Sequence, residues 1–325
     1  MQKLIDRVPH GKQVVFATHS GTFHCDEVVA ISMLRMLFPS FKLVRSRIDE
    51  ELANADVVVD VGGVFDPESF RFDHHQRGFD HYFSDSYKHV TKLSSAGLVY
   101  KYFGRDLLDK FGCTGAIQEQ AFQRIYHNFI CSVDAIDNGV DIAKDVKYKV
   151  NTDLASRVGR MNPSWNEENV DENERFLAAL DIATEEVKSQ IHSVVNVWLP
   201  ARVIVEEAVK NRFAYHPSGM VIRLSQFCPW VEHLQDIEDE ITDLHILFCV
   251  FADQGGQFRV RAMPAARGSF DNRLSLPESL RGLRDAELCE KAGIDDMVFV
   301  HHSGFIGGTN TEASAIKLIE LALKA

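Results

Sequence analysis

The sequence predicts an α/β protein in two parts. An N-terminal domain, residues 1–200, carries a mainly parallel sheet flanked by helices, and a smaller α+β domain fills residues 201–325. Three observations predict this. The first part alternates short β-branched apolar runs with a helix-period stripe and closes its runs with glycine turns. Beyond about residue 205 several strand-like runs follow one another before a final helix. The length, 325 residues, exceeds what one hydrophobic core usually organises.

Val14, Val15, Phe16 and Ala17 have the pattern of a buried strand, which ends at Thr18-His19-Ser20-Gly21. Over 26–37, Val29, Met33, Met36 and Leu37 recur at helical spacing, and Pro39 closes the segment. Residues 42–46 and 56–61 (DVVVDV) read as two further strands, the second closed by Gly62-Gly63. In such sheets ligand groups gather at strand carboxyl ends, where His19 and Asp60 both stand. Residues 91–97 supply Ser94 and Ser95 as caps for a helix running into Leu98. Phe122, Ile125, Phe129, Val133 and Ile136 make a helical stripe with Asp134 at its margin, and Asp137-Asn138-Gly139 stops it. After a loop at 163–171, the stripe Phe176, Leu180, Ala183, Val187, Ile191, Val194 and Trp198 is the clearest in the chain and is expected to bridge the domains. In the second domain, 220–224, 244–251, 257–262 and 297–301 read as strands and 311–323 as the last helix.

Composition narrows the function. With 45% hydrophobic and 25% charged residues the chain is an ordinary globular protein. A net charge of −12 argues against a generally basic nucleic-acid coat or a polybasic membrane binder, though not against a local basic patch. No apolar run approaches a membrane span, so no membrane partner is expected. The N-terminus, MQKLIDRVPHGKQ, has neither an apolar signal core nor an evident Arg/Ser-rich presequence, and cytosol or nucleus is the expected location. Six cysteines, with no close pair, read as reduced thiols. The acidity is uneven: 232–243 holds six acidic residues and no Lys or Arg, whereas six arginines crowd 259–284.

Seven of the 14 histidines fall before residue 100, and four of these belong to a pattern. His19, His24 and Asp26 form one short motif, Asp60 ends a strand, Asp73-His74-His75 follows, and Asp134 comes later. Mixed imidazole and carboxylate ligands suit Mn²⁺, Fe²⁺, Co²⁺ or Zn²⁺ better than Mg²⁺ or Ca²⁺. Each piece alone has a structural explanation as a turn residue or a helix cap. Together they place one chemical kind at one edge of one sheet.

These residues, with the phrases ATHSGTFHCDEVVA, VVVDVGG, RFDHHQRGF, TKLSSAGLVY and VHHSGFIGGTNT in that order, resemble the DHH phosphoesterase superfamily. Within it they are most similar to the melanocyte proliferating gene (Myg) family of exonucleases, once catalogued as metal-dependent protein hydrolases. The resemblance covers nearly the whole chain. It implies a DHH-type catalytic domain holding two divalent metal ions, Mn²⁺ favoured, with Co²⁺, Zn²⁺ or Mg²⁺ as alternatives. One site would be His19, His24 and Asp60, the other Asp26, Asp60, His74 and Asp134. His24 stands where the superfamily usually has Asp, which makes the first site richer in nitrogen. Asp73 would orient an imidazole from behind, and His75 would face the scissile phosphate.

The resemblance further implies a metal-dependent 3′–5′ exonuclease on single-stranded RNA, or DNA, that releases nucleoside monophosphates without a covalent enzyme intermediate. Ser94 and Ser95, and in the second domain His302, Gly304, Gly307, Gly308 and Thr309, are the substrate-binding candidates. The glycines are expected to form a loop opening the last helix, where backbone N–H groups reach an anion. Arg259 and Arg261 alternate on a strand and so share a face; with Arg267 they are phosphate candidates. The alternatives are a hydrolase of small phosphates such as pyrophosphate or short oligonucleotides, and a non-catalytic metal-containing scaffold. Family resemblance adds a mitochondrial pool to the expected locations; oligomeric state, a homodimer included, stays open.

Overall fold

A computed structural model describes residues 12–324. Through residue 11, the N-terminal stretch read for targeting signals lies outside the described residues. The chain divides into two compact units between Val195 and Asn196.

The first unit is α/β. Its sheet comprises β1 (Val14–Thr18), β2 (Phe41–Arg45), β3 (Val57–Val59), β4 (Phe65–Asp66) and β5 (Arg71–Phe72), in the order β2-β1-β3-β5-β4. All neighbours run parallel except β4 and β5. Parallel pairing requires crossovers, and α1 (Cys25–Leu37) and α2 (Asp49–Ala53) provide the first two. The expected stripe on α1 understates its burial. Nearly every residue from Cys25 to Met36 is buried, because α3 (Ser95–Lys110) and α7 (Glu172–His192) both pack on it. Between those two helices come α4 (Ala116–Ile125), a π-helical turn at Tyr126–Ile130, α5 (Cys131–Asp137) and α6 (Leu154–Gly159).

The π turn matters for the site. It accommodates one extra residue, and one residue turns a helix by about 100°. The stripe expected through Phe122, Ile125, Phe129 and Val133 therefore fails at Ile136, which is 50% exposed. A second π-helical stretch, Ser193–Trp198, follows α7, and the unit boundary falls within it.

The second unit has α8 (Leu199–Lys210), α9 (Arg212–Tyr215), β6 (Val221–Arg223), α10 (Val231–Glu240), β7 (Phe248–Ala252), β8 (Phe258–Ala262), α11 (Asp285–Ala292), β9 (Met297–Val300), β10 (Ile306–Thr309) and α12 (Glu312–Lys324). The sheet order is β6-β7-β8-β10-β9, with only β6 and β7 parallel. Alternation along β7 feeds two cores, Phe248 and Val250 on one face and Cys249 and Phe251 on the other.

Two differences from the sequence reading stand out. The acidic run forms α10, whose carboxylates pair with Arg267 and Arg273. Gly307, Gly308 and Thr309 do not open the last helix; they form β10, flanked by β8 and β9 on both sides. A Cβ at Gly308 would lie 2.6 Å from the Phe299 ring and 2.7 Å from Arg259 Nη1, so these glycines serve close packing within a sheet. None of the described helices is long and apolar enough to cross a membrane.

Candidate metal centre

The parallel register brings the ends of β1, β3 and β5 to one edge of the sheet. His19 follows β1, Asp60 follows β3, and Asp73, His74 and His75 follow β5. The first turn of α1 adds Asp26 and Glu27, and the last residue of α5 adds Asp137.

Asp60 is the hub. Its backbone is left-handed, with φ of 60°, a conformation Asp tolerates better than most residues. Its N–H still donates to Phe72 O at 3.1 Å, so the turn begins within the ladder. The carboxylate reaches His19 Nε2 at 3.4 Å, His74 Nε2 at 3.3 Å and His75 Nδ1 at 3.6 Å. Ser95 Oγ donates to Asp60 Oδ1 at 2.9 Å and fixes it from the start of α3. His74 Nε2 also lies 3.2 Å from Asp137 and 3.8 Å from Asp26. Glu27 Oε1 accepts from His24 N at 2.8 Å and lies 3.0 Å from His19 Nε2, joining the helix start to the site.

These side chains form three overlapping groups of a kind that could hold a metal ion: His19, His24, Glu27 and Asp60; Asp60, His74 and His75; and Asp26, His74 and Asp137. Asp26 Oδ1, Glu27 Oε2 and His74 Nε2 are buried without a hydrogen-bond partner. His74 Nε2 is close to carboxylate oxygens but poorly directed toward them. Buried polar atoms left unpaired cost about 1–3 kcal/mol each, so three on one site call for a further ligand. The donor set of imidazoles and carboxylates fits a divalent cation of the Mn²⁺, Fe²⁺, Co²⁺ or Zn²⁺ type.

The charge balance without a cation is strained. Burial lowers the His19 pKa, but hydrogen bonds to Asp60 and Glu27 outweigh it and raise it to about 10. Burial raises the Asp60 pKa, yet the neighbouring His19 and His74 rings bring it below the usual carboxylate range. Asp26 is pushed well above that range, by burial first and then by the charges of Asp60 and Glu27.

Asp134 is not brought to this cluster. It is fully buried, and its Oδ1 accepts from Ser94 N at 3.0 Å, Ser94 Oγ at 2.7 Å and Gly97 N at 2.9 Å, while Tyr126 OH donates to Oδ2 at 2.9 Å. Those bonds pin the start of α3, and Asp134 is in none of the three groups. Asp137, three residues on, occupies the place expected of Asp134. The sequence reading missed Asp137 and Glu27, having assigned the first to a helix stop. Asp26-Glu27 in the first helical turn was the available signal for the second.

The remaining candidates fall as follows. Asp73 lies behind the centre: it accepts from Gly63 N at 2.6 Å and contacts His75 Nδ1 at 2.8 Å, which holds an otherwise exposed imidazole. Ser94 and Ser95 are buried against Asp134 and Asp60 rather than open to a ligand. In the second unit, Arg259 pairs with Asp253 at 2.5 Å and Arg267 with Asp236 and Asp239 at 2.8 and 2.7 Å. Arg261 lies over the Trp230 ring. His302 is exposed, Gly304 is a left-handed turn residue packed against Arg281, and Thr309 is buried, bonded to Thr311 O.

A buried imidazole–carboxylate cluster on the carboxyl edge of a parallel sheet defines the class: an α/β protein with a candidate divalent-metal centre. The chain belongs to the MYG1 exonuclease family, described as uncharacterised protein family UPF0160, whose model matches residues 15–323. It is 43% identical over 318 residues to a mouse protein named MYG1 exonuclease, covering 94% of this chain and 84% of the mouse protein. It is 42% identical over 320 residues to the human MYG1 exonuclease, covering 94% and 85% of the two chains. A Caenorhabditis elegans MYG1 protein is 42% identical over 328 residues, covering 95% of each.

Proposed function

We propose that this protein is a metal-dependent phosphodiesterase of the DHH type, a 3′–5′ exonuclease that releases nucleoside monophosphates from single-stranded RNA in the cytosol or nucleus. The observation that carries it is the sharing of Asp60 and His74 among three imidazole–carboxylate groups that open on one cleft. The exonuclease names of the mouse and human relatives support the reaction class. Two divalent ions, Mn²⁺ foremost, would be held by His19, His24 and Asp60 and by Asp26, Asp60, His74 and Asp137. Such ions supply positive charge at a phosphoryl group and a water of lowered pKa.

The chain's own residues do the positioning. Ser95 and the bond that Asp60 N–H donates to Phe72 O hold Asp60 still between the two sets. Ser20 O meets Nδ1 of His19 at 3.3 Å, on the far side of the ring, and leaves Nε2 facing Glu27 and Asp60. Asp73 accepts from Nδ1–H of His75, which leaves Nε2 as the ring nitrogen open to solvent and to the leaving oxygen. As the imidazolium, with Nδ1–H kept on Asp73, His75 would pass its Nε2 proton to the leaving oxygen when the phosphodiester breaks and be left as the neutral ring.

End-labelled single-stranded RNA incubated with the protein and Mn²⁺ tests this. Stepwise release of monophosphates from the 3′ end is expected, with Asp60→Ala inactive. Absence of cleavage across Mn²⁺, Co²⁺, Zn²⁺ and Mg²⁺, or full activity in Asp60→Ala, overturns it.

A further inference from the structure

The cleft beside the centre has a second wall that the metal chemistry leaves unused. It encloses about 1090 Å³ and is lined on one side by His24, Asp26, His74, His75 and Asp137. Its far side is aliphatic. Ile136, Val140, Ile142, Val146 and Val150 line it while remaining 50%, 42%, 82%, 54% and 45% exposed. Five exposed aliphatic side chains around one cleft form a ledge that a folded chain does not need for its own core.

Polar side chains of the wall are already engaged. Ser132 Oγ donates to Phe129 O, Ser156 Oγ to Asp153, and Asn138 Nδ2 to Lys92 O and Asp134 O. Asp153 caps α6. Asp141 and Lys149 are the charged groups left on that wall, one of each sign. With cations held by the centre, a ligand here would meet positive charge at one end and an apolar ledge at the other. The volume also exceeds what pyrophosphate would fill and suits a nucleotide.

We propose that this cleft takes the terminal nucleoside of the substrate, with base and ribose against the aliphatic wall and phosphate at the His–carboxylate centre, and that it accepts all four bases alike. The inference rests on the phosphodiesterase reading and adds its specificity. A site that reads base edges needs buried donors and acceptors held in place, and rejects a wrong partner strongly because those groups are left unpaired, whereas Asp141 and Lys149 are both exposed. An aliphatic ledge recognises only that a flat apolar surface is present.

The test is equilibrium binding of AMP, GMP, CMP, UMP and ribose 5-phosphate to the Mn²⁺-loaded full chain, with a double variant Ile142→Asn, Val146→Asn. Both positions are exposed, so the substitutions leave folding and Mn²⁺ affinity unchanged. The four nucleotides are expected to bind within about fivefold of one another and about tenfold or more tighter than ribose 5-phosphate, from apolar contact alone. The variant is expected to reduce that advantage to about twofold or less, with ribose 5-phosphate unaffected. Equal binding of ribose 5-phosphate and nucleotides by the wild type overturns the proposal. So does preference for one base by more than about tenfold, the signature of edge reading. Cleavage of labelled RNA, run in parallel, separates the two readings. Binding of all four nucleotides more tightly than ribose 5-phosphate, without turnover, defeats the phosphodiesterase reading and keeps the cleft; turnover with nucleotides bound no more tightly than ribose 5-phosphate does the reverse.

Discussion

Asp134 and Asp137 stand one helical turn apart and are expected to fail in different ways when changed. Asp134→Ala removes the acceptor for Ser94 N, Ser94 Oγ, Gly97 N and Tyr126 OH, all in a buried place. At about 1–3 kcal/mol for each unsatisfied donor, offset where a water enters the vacated space, the loss is about 3–5 kcal/mol. Against a typical total of about 5–15 kcal/mol, that lowers the melting temperature by about 10 °C or more. Asp134→Asn keeps the oxygen that accepts three of the bonds, and its loss is about 1 kcal/mol. Asp137 faces His74 at 3.2 Å rather than the backbone of α3. Asp137→Asn is therefore expected to fold normally and to lose Mn²⁺ binding. Thermal melts in chelator, paired with Mn²⁺ titration by calorimetry, read both properties. Loss of Mn²⁺ binding in a folded Asp134→Asn protein, with binding kept in Asp137→Asn, would refute this assignment.

Other consequences follow from the same contacts. Gly97→Ala would place a Cβ 2.3 Å from Asp134 Oδ2, so urea unfolding is expected to show a loss of about 2–4 kcal/mol. Gly308→Ala collides with Phe299 and Arg259 within a sheet, and a loss of about 1–3 kcal/mol by the same assay is expected. In the cation-free protein His19 holds its proton up to about pH 10, yet only the neutral ring can ligate a metal. Binding must expel that proton, so apparent Mn²⁺ affinity is expected to climb as pH rises from 6 to 9 and to fall, by about tenfold per pH unit per proton released, as pH drops. Calorimetry in buffers of different ionisation enthalpy would count the protons; a pH-independent affinity contradicts the assignment of His19 as a ligand.

Much of the first unit was legible because its strands are short, β-branched and bounded by glycine. Val57, Val58 and Val59 are fully buried in mid-sheet, and such a run has few other fates. The edge where His19, Asp60 and His74 meet follows from parallel pairing alone. What escaped was helix phase. Nothing in the residues 126–130 announces a π turn, and without it a 3.6-residue period cannot tell which of Asp134 and Asp137 points to the centre. Glycines in the second unit misled for a related reason. Gly-rich segments before a helix are read as turns, yet at 307 and 308 the missing Cβ lets Leu276, Leu318, Phe299 and Arg259 approach a strand. That is a tertiary requirement with no local signature.

The cluster itself is in conflict with the stability of the metal-free chain. Four carboxylates, of Asp26, Glu27, Asp60 and Asp137, gather around four imidazoles, of His19, His24, His74 and His75, and three of the cluster's polar atoms are buried without partners. A protein selected for stability alone would replace some of them with apolar groups of similar shape, because an incompletely satisfied polar network is worse than none. Asp60 adds a second conflict, a left-handed backbone at a residue with a side chain. Both are located at one sheet edge. A bound cation would relieve the first conflict directly by supplying the missing partner of Asp26 and His74. It binds the folded chain and finds no such site in the unfolded one, so stability should increase with the logarithm of its concentration above Kd. The strain at Asp60 then becomes the means by which β3 delivers its carboxylate to both groups at once.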